Sequence, residues 1–497
     1  MMKKTKIALG VVIALGVVWT GTAWYTGKQI EANMGQLVDN ANQQISQYLP
    51  DSHLVLTQQD FRRGIFSSHV QLVLQGAANA SQDDPLAAGQ KVIFSESIDH
   101  GPFPLSQLKH LNLIPAAASV HSELVNNDTV KGLFSLSDGH SPLSAETRLG
   151  YDKSSATAID VTALNYTDST GKISAQPSVF NLAADGQQNN IRFSADVGDV
   201  TAQFKNDSNL PVDMTIAGLD FSGDTHLSPE GLRLGNQALT LKSLSTAVNG
   251  QPVLSVSGVN MNSDFDNNAG KTGGKINYVV DKVQLKQQTL GSAALTVSLN
   301  NFDTASVKQF YDNYNDVVKQ NLADIASGKQ DDPQAMQQSV NQTILQNLPL
   351  ILKGAPELSV DSLTLKNEKG ESRFSLKADF NDPSTVTTAP QSLGQVADGY
   401  MKNLNVTLSV NKPMAQQLLT IIGQSQGYSI EDAGKLAVQQ IQGLSAMGEM
   451  FHLATVQGDN IVSSLQYSQG DVTVNSQKMP LEQFIQQYVP AGPAAGE

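Results

Sequence analysis

Residues 363–380 read LTLKNEKGESRFSLKADF: Leu363-Thr364-Leu365, a polar stretch containing Lys369-Gly370, then Phe374-Ser375-Leu376-Lys377-Ala378-Asp379-Phe380. Apolar and polar residues alternate on both sides of a turn former, so successive side chains fall on opposite faces of a strand. The stretch predicts a β-hairpin with one apolar and one polar face. The same plan recurs along the chain. Leu54-Val55-Leu56 precedes Val70-Gln71-Leu72-Val73-Leu74, and Leu232-Arg233-Leu234 precedes Leu239-Thr240-Leu241-Lys242-Ser243-Leu244. Val283-Gln284-Leu285 likewise precedes Leu295-Thr296-Val297-Ser298-Leu299, and Asn249-Gly250 marks a further turn. This weak internal repeat of antiparallel hairpins predicts a large twisted sheet with Ser, Thr, Lys and Asn on its polar face. A parallel α/β core is not expected.

Helical spacing interrupts the strands. Val307, Phe310, Tyr314, Val317 and Ile325 share one side of a helix capped by Asp303, and Met336, Val340, Ile344 and Leu348 form the stripe of a second. Residues 413–422 and 431–451 predict another helical pair, and 481–489 a short last helix after Pro480. The predicted class is α+β, a mainly antiparallel sheet body with inserted helical hairpins. Its order is a β-rich region (51–301), a helical hairpin (302–355), a second β region (356–410), a helical pair (411–456), and a C-terminal β-hairpin with a short helix (457–490).

Ahead of this body, residues 7–26, IALGVVIALGVVWTGTAWYT, carry no charge, and Lys3, Lys4 and Lys6 lie in the tail 1–6. At ~1.5 Å per residue such a run spans a ~30 Å hydrocarbon core. Leu9, Val12, Ile13, Leu15 and Val18 supply its apolar surface, while Trp19, Trp24 and Tyr25 stand at the far end, where amphipathic rings favour headgroups. The lysines hold the N-terminus in the cytoplasm, which makes the run a single-pass signal anchor with the body across the membrane. The competing reading is a cleaved signal peptide, with an apolar run 7–18 and Gly21-Thr22-Ala23 as its processing site. A stalk helix follows at 27–50. Within it Ile30, Met34, Leu37, Ala41, Ile45 and Tyr48 recur at spacings of three and four. That stripe either joins two copies as a homo-oligomer or packs on the protein's own body.

The chain has 497 residues, 32 basic against 46 acidic, and no cysteine. A net charge of −14 with no basic patch excludes nucleic acid as a partner. Disulfides, thiolate metal sites and cysteine nucleophiles are absent with the cysteines. None of the 8 histidines forms an H-x-x-x-H pair. Ser106-Gln107-Leu108-Lys109 fits S-x-x-K, with His100 nearby in sequence, but the pattern is short enough to arise by chance. Residues 264–272, DFDNNAGKT, end like a phosphate-binding loop and begin like a calcium loop, yet Phe265 and Ala269 stand where each requires glycine. They read as a polar loop. No cofactor, metal or catalytic residue is assigned.

Four strings carry a family resemblance: Val17-Val18-Trp19-Thr20-Gly21, Phe61-Arg62-Arg63-Gly64-Ile65-Phe66-Ser67-Ser68, Asp99-His100-Gly101-Pro102-Phe103-Pro104-Leu105, and residues 470–481, GDVTVNSQKMPL. In this order they resemble the YdgA family of Gram-negative envelope proteins. One departure is Asn475-Ser476, where the family tends to Asn-Gly. The resemblance implies attachment to the cell inner membrane, a periplasmic body and possible self-association, and it supplies no catalytic residues. The anchored hairpin pattern is also similar to AsmA-like envelope proteins linked to lipid traffic. The expected function is therefore a non-enzymatic binding or scaffolding role in envelope maintenance, with an apolar sheet face holding lipid or another hydrophobic ligand. The alternatives are an envelope hydrolase using Ser106, Lys109 or His100, and a structural homo-oligomer.

Overall fold

Alternation of the kind seen at 363–380 becomes antiparallel strand pairing almost throughout the computed structural model. The structure describes residues 2–49, 52–82, 84–326, 333–385 and 393–488. Of these, 2–17, 47–48, 322–326, 333–335, 345, 393 and 396 are described as backbone only. The chain divides into two units, residues 1–200 with 318–336 and residues 201–317 with 337–497.

In the first unit helix α1 (Met2–Tyr48) precedes ten strands: β1 (Leu54–Arg63), β2 (Ser67–Gly76), β3 (Lys91–His100), β4 (Ala118–Leu124), β5 (Leu143–Leu149), β6 (Ser155–Val161), β7 (Leu164–Thr167), β8 (Gly171–Ala175), β9 (Ser178–Ala184) and β10 (Asn190–Val197). β1 to β6 pair in sequence order, β9 adds to β6 and β10 to β9, all antiparallel. Short helices α2 (Leu105–Lys109) and α3 (Lys131–Leu136) lie at opposite ends of β4 in the chain. The core sits between α1 and the sheet, where Met34 meets Val70, Ile98 and Ala118, with Ile30, Phe61 and Val120 around them. The helix follows directly from the i, i+4 placing of Ile30 and Met34.

The second unit contains β11 (Val200–Lys205), β12 (Pro211–Leu227), β13 (Arg233–Val248), β14 (Gln251–Asn268), β15 (Lys271–Leu285), β16 (Gln288–Asp303), β17 (Glu357–Asn367), β18 (Gly370–Phe380), β19 (Met401–Asn411), β20 (Thr455–Gln457), β21 (Asn460–Ser468), β22 (Asp471–Val474) and β23 (Gln477–Pro480). β12 through β19 pair consecutively, and β21 continues the sheet beyond β19. The helices are α4 (Thr304–Ala326) and α5 (Pro333–Gln346), whose residues 318–326 and 333–336 count with the first unit, then α6 (Leu348–Ile351), α7 (Leu393–Tyr400), α8 (Lys412–Ser425), α9 (Ile430–Met450) and α10 (Leu481–Tyr488). α8 starts at an Asn411 cap with Pro413 in its first turn, and α9 at a Ser429 cap followed by Glu431 and Asp432, so both starts follow from local residue chemistry. Asp303 caps α4 by accepting from the Ser306 amide at 3.1 Å.

Three sequence expectations change. The turn expected between Leu234 and Leu239 does not form, because β13 runs straight through it. Gly235, at φ 130°, lets the two backbones close up: a Cβ there would stand 2.2 Å from the Asp224 carbonyl oxygen. The expected loop at 264–272 is strand and tight turn, with Ala269 and Gly270 at φ 51° and 78° and Asp264 to Asn268 paired with β15. Asn475-Ser476 forms its turn despite lacking glycine, at φ 45° and 75°. The anchor and stalk segments are one continuous helix, α1. Among the described residues no helix is long and apolar enough to cross a membrane. Leu9, Val12, Ile13 and Leu15, which carry most of that reading, have side chains outside the described set.

Candidate functional site

The strand register of the second unit lines up a single apolar row. Phe221 pairs with Leu239, Leu239 with Met261, Met261 with Tyr278, and Tyr278 with Leu295. Leu295 pairs with Leu363, Leu363 with Phe374 and Phe374 with Leu408. Paired residues share a face, so the row crosses β12 to β19 without a polar interruption, roughly 34 Å at ~4.8 Å per strand. A parallel row of Ile276, Val297, Val360, Leu376, Val406 and Leu465 lies two residues along.

None of the first row is buried, and Phe221, Tyr278 and Leu408 remain 42%, 39% and 38% exposed. Such a face lacks the cover that alternation normally implies. Its two ends are closed. At the end of the 269–270 turn, Val307 and Phe310 of α4 and Ile351 of α6 face Leu234, Phe265 and Leu299 across an apolar cleft of about 300 Å³. At the other end α8 is fastened to the 286–288 turn, Lys286 Nζ donating to the Ser425 carbonyl at 3.1 Å and Gln288 to Gln424 at 2.8 Å. Between these ends lies an open apolar trough.

The opposite face is polar and satisfied by its own residues. Asp361 accepts from Ser298 and from Ser359 at 2.6 Å, with Lys275 Nζ 4.0 Å away, in a groove of about 500 Å³. The Ser298 hydroxyl, then that of Ser359, hold the Asp361 carboxyl below the usual carboxylate range. Among the described residues no group of His, Asp and Glu could hold a metal ion.

The hydrolase residues are not assembled for catalysis. His100 is 1% exposed; its Nε2 lies 2.8 Å from Ser68 Oγ and its Nδ1 3.0 Å from the Ile65 carbonyl oxygen. Ser68 is 0% exposed and the third partner is a backbone oxygen, so this serine–histidine pair has neither access nor a carboxylate orienter. Burial pushes the His100 pKa down, keeping the ring neutral. Ser106 offers its backbone N–H to Asp99 at 2.7 Å while its hydroxyl has no protein partner, and Lys109 is exposed on α2.

Of the anchor residues with described side chains, Val18, Trp24 and Tyr25 are 63%, 45% and 57% exposed, whereas the Trp19 ring packs on Phe66 at 5.2 Å. Of the stripe, Ile30 and Met34 are taken up by the body, Ile45 is half-buried, and Leu37 remains 56% exposed. The open row itself was missed as a set of residues; only the β register joins Phe221 to Leu408, and the sequence signal was the alternation alone.

Over residues 2–482 the chain matches the family described as bacterial protein of unknown function (DUF945). The chain belongs to that family. It is 38% identical over 504 residues to Protein YdgA of Escherichia coli (strain K12), covering 99% of each chain, which agrees with the resemblance carried by the four strings. It is also similar to Uncharacterized protein YihF of the same organism, 27% identical over 485 residues, covering 97% of this chain and 98% of that one. An uncharacterized protein of Haemophilus influenzae is 31% identical over 191 residues, 38% of this chain and 50% of that one. No solved structure matches.

Proposed function

We propose that the protein is a non-enzymatic envelope protein that holds the acyl chains of a lipid on the open face of strands β12 to β19. The observation behind this is the row from Phe221 to Leu408, apolar on eight consecutive strands and, among the described residues, covered only at its ends. Each methylene moved from water to such a face contributes ~0.8 kcal/mol, so a single chain gains several kcal/mol with no polar contact. The sheet offers no charged group along the row, which suits a tail rather than a headgroup.

The same reading places the N-terminal part of the uncharged run 7–26 in the inner membrane, its far end packed on the body through Trp19 and Ala23, with the N-terminus cytoplasmic and the body periplasmic. The uncharged run, the lysines before it and the exposed Trp24 and Tyr25 support a retained anchor. So does Ala23, which is 0% exposed: cleavage after it would remove a residue packed in the body. Ile30 and Met34 already serve the fold of one copy, which leaves Leu37 as the apolar surface for self-association.

A photo-crosslinking residue at Tyr278, compared with one at Thr296 on the polar face, tests the proposal in the full-length protein in its own membrane. Mass spectrometry should find lipid adducts from position 278 and few from 296. Equal yields at the two positions, or none at 278, would sink the lipid reading.

A further inference from the structure

One end of the first unit gathers exposed apolar side chains around α1. After α2 the chain forms the loop Leu111-Asn112-Leu113-Ile114-Pro115, in which Leu111, Leu113 and Ile114 are 85%, 68% and 62% exposed. Leu111 takes φ 57°. Three adjacent large aliphatics this open are unusual on a surface facing only water. The loop is also stiff. Asn112 donates its amide to Gln107 Oε1 at 2.8 Å and accepts from the Ile114 N–H at 3.1 Å, while Gln107 donates to Ser119 at 3.1 Å. The polar side chains face inward to hold the shape and the leucines are left outside.

This loop springs from the point where α1 meets the sheet. Gly27 abuts the His100 ring so closely that an added Cβ would lie 2.3 Å from it, and the next residue, Gly101, is equally tight against the Ala116 carbonyl that ends the loop. Trp19 packs on Phe66, and Ile65, whose carbonyl bonds His100, is 51% exposed. The base of the loop, at Ala116, is therefore one residue from the His100 ring on which Gly27 of α1 packs. Basic side chains edge the same region. Lys28 Nζ and Arg63 flank the Trp24 ring at 5.7 and 5.8 Å, Lys109 is exposed on α2, and Arg148 donates to the Pro115 carbonyl at 2.9 Å. Glu31 neutralises Arg63 at 2.7 Å, Asp99 takes the Ser106 amide, and Asp152, within electrostatic reach of Arg148, takes the Ser154 amide and hydroxyl, so Lys28 and Lys109 are the main cations of the rim.

We infer that Leu111, Leu113 and Ile114 form a wedge that inserts into the outer leaflet of the bilayer that α1 enters, with the basic rim against anionic headgroups. This rests on the reading of 7–26 as a membrane anchor. The loop is preshaped, so insertion carries little ordering cost, and the rim attracts anionic lipid. Together with α1 the wedge gives the first unit two points of membrane contact, which fixes its orientation where a single helix would let it swivel.

The absence of cysteine allows single-cysteine fluorophores in the full chain, reconstituted into phosphatidylethanolamine–phosphatidylglycerol vesicles. Three sites suffice: Leu113→Cys in the wedge, Val18→Cys on α1, and Leu133→Cys, an equally apolar residue 46% exposed on α3 beyond the far end of β4. The expected result is a blue shift at 113 with strong quenching by nitroxide-labelled acyl chains, quenching at 18, and neither effect at 133. Quenching at 18 with a water-like spectrum at 113 overturns the wedge and leaves the anchor standing. A blue shift at 113 without nitroxide quenching means that protein covers the loop, and also overturns it. No quenching at 18 overturns the anchor reading itself, and the wedge with it.

Discussion

The two units share one alternation and meet opposite fates. In the first unit the inward residues of β2 to β4 are shut in by α1, with Val70, Ile98 and Ala118 at 3%, 5% and 1% exposure, while farther along the same row Leu182 of β9 is 50% exposed. In the second, residues at the same place in the pattern are part-exposed across eight strands, none of them buried, with Tyr278 at 39%. The strands do not differ in kind; the cover does. The part of α1 around Ile30 and Met34 lies against β2 to β4, while the row on β12 to β19 has, among the described residues, α4, α6 and α8 at its ends only. Alternation therefore specifies a face that wants apolar company without specifying whether the chain supplies it. In the first unit it does. In the second the vacancy suits a ligand.

Placing a charge on each face in turn gives the sharpest test. Met34→Asp puts a carboxylate among Val70, Ile98 and Ala118, and should cost about 3–5 kcal/mol, the range for a lost core side chain plus an unpaired buried charge. Hydrogen exchange across β1 to β3 should accelerate accordingly. Leu295→Asp on the open row can hydrate, so its stability cost should stay near 1 kcal/mol, read from urea unfolding. Lipid captured with the purified protein should nevertheless fall by about tenfold or more, the loss of ~1.4 kcal/mol of apolar contact. A large stability loss from Leu295→Asp would show that this face is core after all, and the contrast between the units would collapse.

Acid gives a second handle on the covered sheet. His100 is buried against Gly27, and that burial depresses its pKa below the usual 6.5. As pH falls through 6.5 the unfolded chain takes up a proton that the folded one refuses. Stability from this residue is thus complete above about pH 6.5, declines by up to ~1.4 kcal/mol per pH unit below it, and levels off once the folded ring also protonates. Glu96, whose pKa is raised chiefly by burial, contributes with the opposite sign at lower pH. The His100 share is therefore the difference between the native chain and His100→Gln, in which that slope should vanish.

Much of this was legible before any coordinates, and the failures are instructive. Hairpins with polar turns, the helix cap Asp303, and the stripe of Ile30 and Met34 depend on residues close in sequence, and they formed as read or within a few positions; the caps Asn411 and Ser429 are equally local but were not read. The strand through Gly235 was misread because glycine beside Asn236 and Gln237 has the composition of a turn. What keeps it extended is the Asp224 backbone across the ladder, a partner eleven residues away. The open row could not be listed in advance for the same reason. Neighbours such as Leu295 and Leu363 are joined only by register, and register depends on turn lengths and bulges throughout the sheet.

The smallest expected effect concerns an end of the trough. Asn411 caps α8 by accepting from the Met414 amide at 3.1 Å, and its own amide donates to Asn460 at 3.1 Å. Its backbone N–H is separately held by Ser372 at 2.9 Å, so the strand end survives truncation of the side chain. Asn411→Ala should therefore cost about 1 kcal/mol, the usual worth of such a cap, and should speed hydrogen exchange at the first turn of α8. The ties from Lys286 and Gln288 act at the far end of α8 and remain in place. A floor formed by strands and an end formed by a helix then make different demands on this variant. If α8 only terminates the trough, lipid capture should change less than about twofold while local exchange rises. If capture falls as far as in Leu295→Asp, the ligand must lie against α8 itself, and the site is a two-walled cleft rather than an open face.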